Sequence, residues 1–476
     1  MTQIERLYQA YLLSHAVTTD SRNITPGCIF FAFKGERFDG NAFAPQALEQ
    51  GAAHCVISDD AYRVDDRCIV VPDVLKTLQE LAREHRRHLE IPVIGITGTN
   101  GKTTTKELVH AVLAKRYKTS ATKGNFNNHL GVPLTLLAIP EGTELAIVEM
   151  GANHPGEIEL LCGIADPDCG LITNVGRAHL EGFGSFEGVV RTKTELYRHL
   201  AGKHGLVFVN ADNERLMHEA EKLSTIPGLR SFIPAYAPDN PAFVPSTIEK
   251  TPLAMVTYGR GEEAEVRGTL VQNSSNQALK QSSNPYLHFY FEVGDNVYNV
   301  HTHLLGDYNF DNCMAAVAVG LHFGVEPWDI KEAIEEYVPS NQRSEFKETA
   351  RGNRLYLDCY NANPSSMAAA IASFSSNQAI KQSSNKMMAI IGGMHELGHD
   401  EHKEHKHVVA QLAECGLERV LLVGPEWDGL ALPAAMRRFA DTEKVREWLG
   451  ENPVTGATIL IKGSNTNRLW TLEERL

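Results

Sequence analysis

Lys102, set between a glycine and a run of threonines, is the residue of this sequence most plainly placed for phosphate chemistry. The stretch Gly95-Ile96-Thr97-Gly98-Thr99-Asn100-Gly101-Lys102-Thr103-Thr104-Thr105 follows apolar Val93, Ile94 and Ile96 and opens a helical pattern with Leu108, Val109, Val112 and Leu113. Strand, glycine-punctuated turn and helix, in that order, aim the backbone N–H groups of Gly98, Thr99, Asn100, Gly101 and Thr104 at an anion. Lys102 then reaches the terminal phosphates of a nucleoside triphosphate, and the Thr103 hydroxyl faces a magnesium ion. Ile96 stands where the general pattern G-x-x-x-x-G-K-[ST] has its first glycine. A plain Gly/Thr-rich turn would not need Gly-Lys-Thr at this place.

Other chemistry-bearing residues must be carried by neighbouring strands. Leu145 to Val148 reads as a buried strand that delivers Glu149 at its carboxyl end, where ligands sit in an open α/β sheet; a carboxylate there is the expected magnesium partner of a phosphate loop. A further strand, Leu171–Val175, leads to His179. Alone, such a histidine is more often packed or solvated; its place just past a strand end, in step with Thr103 and Glu149, favours a ligand role. The polar loop Lys123–Pro133 puts Asn127 and Asn128 near the same end of the sheet. Lys193, in Thr192-Lys193-Thr194-Glu195-Leu196, reads from residue types alone as part of a solvated helix face. Near the N-terminus the turns around an Ile29–Phe33 strand carry Ser21, Arg22 and Lys34, able to hold a phosphate or sugar, although ordinary turn chemistry explains them as well. Asn309 and Asn312 open a small-residue helix and could equally be N-caps.

The whole chain sets limits. Its 476 residues suggest about three domains. A formal charge of −14 argues against a nucleic-acid-coating protein or an anionic-membrane binder. Eight scattered cysteines without a Cys-x-x-Cys favour reduced packing residues over disulfides or zinc. There is no apolar run long enough for a membrane span and no signal-like N-terminus, so a cytoplasmic protein is expected. His395, His399, His402, His405 and His407 alternate with charged residues and are expected on a solvated helix face. Ser274–Asn284 recurs as Ser375–Asn385 with Ile380 for Leu279; both copies read as inserted, mobile surface loops whose deletion would spare activity.

The loop Gly-Thr-Asn-Gly-Lys-Thr-Thr, the Asn125-Phe126-Asn127-Asn128 segment and Glu149-Met150-Gly151-Ala152-Asn153-His154-Pro155-Gly156-Glu157-Ile158 resemble, in order, motifs of the Mur ligase family. The resemblance implies an α/β chain of three domains: a UDP-substrate domain over 1–90, a central P-loop ATPase-like domain with extra β-strands over 91–338, and a C-terminal Rossmann-like ligase domain over 339–476. It implies ATP and two magnesium ions, with Lys193 converted by carbon dioxide to a carbamate that serves as a metal ligand beside His179. That conversion makes chemical sense, because an ammonium would repel magnesium while a carbamate supplies an anionic oxygen. It assigns Asn309, Asn312, Arg343 and Asp358 to the nucleotide, and Asn127, Asn128, Asn361, Lys462 and Ser464, with Ser21, Arg22 and Lys34, to the substrate side. Tyr308 stands where the family often has histidine. Within the family the motifs look most like the members that add D-alanyl-D-alanine to UDP-N-acetylmuramoyl-tripeptide, working as monomers. A diamino-acid-adding or folylpolyglutamate synthetase-like ligase is the near alternative, and a nucleotide switch or a small-molecule kinase the distant ones.

Overall fold

The computed structural model describes residues 2–14, 16–224, 253–271, 285–339, 343–376 and 386–476. Short apolar runs separated by polar turns form a first parallel sheet of β1 (Val17–Thr18), β2 (Ile29–Phe31), β3 (His54–Ile57) and β4 (Cys68–Val70), in that spatial order. The period of two along β2 divides its side chains. Phe30 packs with Cys28, Cys55 and Ile57, whereas Ile29 and Phe31 join Val74, Leu78 and Leu81 of the helix Val74–His88. Asp73 starts that helix by accepting a hydrogen bond from Lys76 N.

The same apolar cluster continues without a break into Val132, Leu136, Ile158 and Leu161 of the central unit. Polar ties reinforce the join. Tyr11 Oη donates to Leu137 O at 2.8 Å; Arg86, 8% exposed, donates to Ala165 O and Asp166 O, both at 2.9 Å, and pairs with Asp168 at 2.8 Å. A guanidinium can be enclosed in this way because its donors find acceptors.

The central sheet is built on β5 (Val93–Thr97), buried throughout, with β6 (Thr119–Ala121), β7 (Leu145–Glu149), β8 (Cys169–Ile172), β9 (Leu206–Asn210), β10 (Ala254–Gly259), β11 (Val266–Leu270), β12 (Tyr286–Val293) and β13 (Asn296–Leu305). The spatial order is β13-β12-β11-β10-β9-β8-β5-β7-β6, with the pairs β11/β12 and β12/β13 antiparallel. β5 lies between β7 and β8, so the order switches direction there and a crevice opens at its carboxyl end. Helix Asn309–His322, rich in alanine and valine, packs beside the phosphate-loop helix Lys102–Ala114 under the antiparallel strands.

His322 closes that helix against Phe208 and Phe323, and burial pushes its pKa down to about 4. A histidine whose folded pKa lies below its unfolded value supports the fold fully above the unfolded pKa and loses that contribution as pH falls through the folded one. Between pH 8 and pH 5 the wild type should therefore lose about 2 kcal/mol more unfolding free energy than His322→Leu, read by urea denaturation at the two pH values.

The last sheet comprises β14 (Glu345–Glu348), β15 (Arg354–Asp358), β16 (Met387–Gly392), β17 (Arg419–Val423), β18 (Met436–Phe439) and β19 (Thr458–Lys462). Its order is β14-β15-β19-β16-β17-β18, parallel except for β14, with apolar clusters on both faces, as the alternating βα pattern predicts.

One expectation needs adjustment, one open alternative is decided, and one expectation falls outside the described residues. His405 is not solvated: it is fully buried, accepts from Met394 N at 3.0 Å through Nε2 and meets Trp427 edge-on, although His399, His402 and His407 do face water. Asn309 and Asn312 do not cap their helix; their carboxamides are used elsewhere. The first SSNQA-type segment, Ser274–Asn284, expected to be a mobile loop, lies outside the described residues, as does the second beyond Ser376. No two of the eight cysteines are joined in a disulfide, and seven of them are buried.

Candidate active site

The phosphate loop begins where β5 ends. Gly101 has φ +79°, and a Cβ there would meet Asn312 Oδ1 at 2.5 Å, so only glycine lets the loop pass under this side chain. Asn312 in turn accepts from Thr105 Oγ1 at 3.0 Å and donates to Asn309 Oδ1 at 2.8 Å, while Asn309 Nδ2 donates to Leu305 O at 2.7 Å. The tail of β8 fixes the other side of the loop: Thr173 Oγ1 donates to Asn100 O at 2.6 Å and Asn174 Oδ1 accepts from Asn100 N at 3.0 Å. Lys102 curls back over the loop, its Nζ donating to Gly98 O at 2.9 Å and Thr99 O at 3.0 Å. Burial lowers its pKa, against the pull of Glu149.

Glu149, at the end of β7, is 1% exposed. Its Oε1 accepts from Asn127 Nδ2 at 2.7 Å and from Thr103 Oγ1 at 3.3 Å; its Oε2 is buried with no protein partner. A carboxylate oxygen shut from water and from protein donors, on the wall of an anion-binding crevice, is what a cation requires. Asn128 contributes differently: its Oδ1 accepts from Leu130 N and Gly131 N and so fixes the start of helix Gly131–Leu137.

Lys193 ends the helix Phe186–Lys193 and is 2% exposed, which rules out the solvated-face reading. Its Nζ donates to Ala152 O at 3.2 Å and lies 5.5 Å from the Phe183 ring centre. Burial drives its pKa well below the ordinary lysine value, and the nearby Lys102 charge adds to the effect. The consequence is a neutral amine at a pH where exposed lysines are charged. His179 sits beyond β8 with its ring edge-on to Phe183; burial lowers its pKa while Glu396, whose Oε2 bonds Nδ1, opposes that shift.

The far wall comes from the last sheet. Asp358 at the end of β15 pairs with buried Lys462 at the end of β19, 2.7 Å apart, and Lys462 also donates to Asn361 O at 3.2 Å. The Arg343 guanidinium stacks on Tyr360, 3.6 Å from its ring centre. Tyr308 Oη and Asn309 Nδ2 reach Ser344 Oγ at 3.0 and 3.4 Å. Across the cleft Asn363 Nδ2 donates to Asn100 Oδ1 at 2.7 Å, Arg177 N donates to Ser365 Oγ at 2.8 Å, and Arg177 pairs with buried Glu404 at 2.8 Å. These walls enclose a cavity of ≈ 620 Å³ that Lys102, Thr103, Glu149, His179, Lys193 and Asp358 all line.

Comparison with known proteins follows this geometry along the whole chain. Residues 14–89 match a model described as "Mur ligase family, catalytic domain", residues 96–227 the "Mur ligase middle domain" and residues 342–465 the "Mur ligase, glutamate ligase domain". A Bacillus subtilis protein named UDP-N-acetylmuramoyl-tripeptide--D-alanyl-D-alanine ligase is 33% identical over 96% of this chain and 91% of its own. The chain belongs to the Mur ligase family. Among solved structures, MurF from Acinetobacter baumannii superposes with a TM-score of 0.79 at 27% identity, covering 99% of this Mur ligase and 97% of that chain. MurF ligase from Thermotoga maritima, solved in complex with ADP, gives 0.78 at 25% identity, covering 100% and 98%.

The cavity of this Mur ligase gathers the phosphate loop, Asn127, Asn128, Glu149, His179, Lys193, Asn309, Asn312, Arg343, Asp358, Asn361 and Lys462. Four expected residues are not among its walls. Ser21, Arg22 and Lys34 lie on turns after β1 and β2, where Arg22 is spread on Asp20 and Lys34 pairs with Asp39 at 3.3 Å. Ser464 caps the turn Asn465–Asn467. Overlooked in the sequence were Arg177, Asn363, Ser365, Glu396 and Glu404, the residues that join the central and last sheets. Asn363-Pro364-Ser365, a polar turn directly after a strand end, was a readable signal; Glu404, one charge among many on its helix, was not.

Proposed function

We propose that this Mur ligase uses ATP to join D-alanyl-D-alanine to UDP-N-acetylmuramoyl-tripeptide in building peptidoglycan precursors. The observation that carries the reading is the enclosed Lys193 amine, its pKa lowered by burial, in the same cavity as the phosphate loop and the unpartnered Glu149 oxygen. A nucleotide switch or a simple kinase has no use for that pair. The shared name of the full-length relatives supports the choice of substrates over a diamino-acid-adding or folylpolyglutamate synthetase-like ligase.

Lys102 and the loop N–H groups hold the ATP phosphates, with Asn309, Asn312, Arg343 and Asp358 around the nucleotide. Ser21, Arg22 and Lys34 hold the UDP end of the acceptor, and Asn361, Lys462 and Ser464 the peptide side. The free Lys193 amine attacks carbon dioxide and loses its proton, leaving a carbamate anion. Thr103 with Glu149, whose buried Oε2 has no protein partner, and His179 with the carbamate would hold two magnesium ions. When bound, such ions neutralise the charge crowded between ATP and a carboxylate. The substrate carboxylate displaces ADP from the γ-phosphate to give an acyl phosphate, and the dipeptide amine then displaces phosphate to form the peptide bond. Contact between the two walls shields the acyl phosphate from water.

The enzyme is proposed to work as a monomer. Among the described residues no helix is long and apolar enough to cross a membrane, and we place the reaction in the cytoplasm with its ATP. The test is ADP release from ATP and UDP-N-acetylmuramoyl-tripeptide, with and without D-alanyl-D-alanine, following the nucleotide peptide by mass. Dipeptide-dependent ADP and a pentapeptide product are expected. Turnover only with a single amino acid on a shorter precursor would transfer the chain to a sister ligase.

A further inference from the structure

We infer that Glu396 is the positioning residue of His179, brought to it from the last sheet when the two walls meet. The inference rests on the reading of His179 as a ligand, and its test separates the two. Glu396 lies on the loop after β16, and its Oε2 bonds His179 Nδ1 across the cleft. The two residues share an unusual backbone: φ is +50° at His179 and +60° at Glu396, the left-handed region that non-glycine residues seldom occupy. Such conformations persist where the surroundings over-determine them, and they gather at working sites.

The surroundings are visible here. Glu181 N donates to Glu396 O at 3.4 Å, Arg177 is held by Ser365 and Glu404, and the Phe183 ring stands edge-on to the imidazole. The segment from Arg177 to Phe183 is thus gripped from the far wall at its start, its middle and its imidazole. With a carboxylate accepting at Nδ1, the neutral ring carries its proton there and Nε2 keeps its lone pair. His179 lines the cavity, so Nε2 is the nitrogen left to face a ligand. Without Glu396 the ring is free to turn over or to present the wrong tautomer. Glu396 itself is about half exposed, so it is not needed for the fold core.

The test uses the full chain saturated with ADP and the tripeptide nucleotide, titrated with Mn²⁺ while free Mn²⁺ is read by electron paramagnetic resonance. Glu396→Ala should weaken one class of Mn²⁺ site by about tenfold or more, Glu396→Gln should recover most of it because an amide oxygen still accepts from Nδ1–H, and His179→Ala should remove that class. Both Glu396 variants should melt close to wild type. If His179→Ala removes the site but Glu396→Ala leaves it intact, the positioning role is overturned and the ligand reading stands. If His179→Ala also leaves it intact, the ligand reading fails and this inference with it. Equal damage from glutamine and alanine would overturn orientation by hydrogen bonding.

Discussion

Lys193→Ala should reduce turnover by on the order of 10³-fold, with formate or acetate restoring part of it. The expectation follows from the enclosure of the amine. An ammonium shut away from water, near the charge of Lys102, is disfavoured, and the lowered pKa favours the attack on carbon dioxide that we propose. Alanine removes the anionic oxygen the carbamate would supply and leaves a space the size of a short carboxylate. Tripeptide-nucleotide binding, measured by calorimetry, should be retained. Stability gives a second readout. The unmodified lysine binds its proton more tightly in the unfolded chain, so folding strengthens as pH rises from the lowered pKa toward the ordinary one, and the alanine variant loses that slope. Undiminished turnover in Lys193→Ala would exclude the carbamate.

Glu149→Gln should cost about 10²–10³-fold in kcat and raise the magnesium concentration needed for half-maximal rate. The glutamine oxygen can keep both bonds that Oε1 accepts from Asn127 and Thr103, which forces its NH₂ group into the place of the unpartnered Oε2. A donor then points where a cation is needed. The protein should be as stable as wild type or more so, since a buried, half-satisfied carboxylate has been replaced by a neutral group. Loss of activity with gain in melting temperature would separate a working charge from a structural one. A variant that is destabilised and fully active would reverse the assignment.

These two residues were unequally legible in the sequence. Glu149 could be read because an apolar run ends in a carboxylate, a local signal. Lys193 could not be read from its neighbours: Thr-Lys-Thr-Glu looks like surface, and only the packing of Phe183 and Ala152 over it reveals a buried amine. The family resemblance supplied what composition did not. Asn309 and Asn312 left two readings open in the sequence, since residues at a helix start invite a capping interpretation as readily as a ligand one; in the fold their carboxamides bond each other and Leu305, Ser344 and Thr105. His405 was legible after all. His405, Val408, Val409 and Leu412 recur at three- and four-residue spacing, a buried stripe that the alternation of histidine with charge obscured. Glu396 and Glu404 were beyond reach, because their meaning lies in contacts to residues 217 and 227 positions away.

The unbroken core beneath helix Val74–His88 bears on accuracy. A flexible tether between the first two sheets would let the distance between an acceptor and a triphosphate wander by ångströms, and reactivity falls steeply with such error. If, as proposed, the first sheet holds the acceptor and the second the triphosphate, that distance is set by the stiffness of packed side chains and by Arg86, so its thermal spread should be that of a protein interior. Alignment of the first chemical step then becomes a property of the resting enzyme. A lesion at Tyr11 or Arg86, remote from every reacting atom, would appear as lost precision.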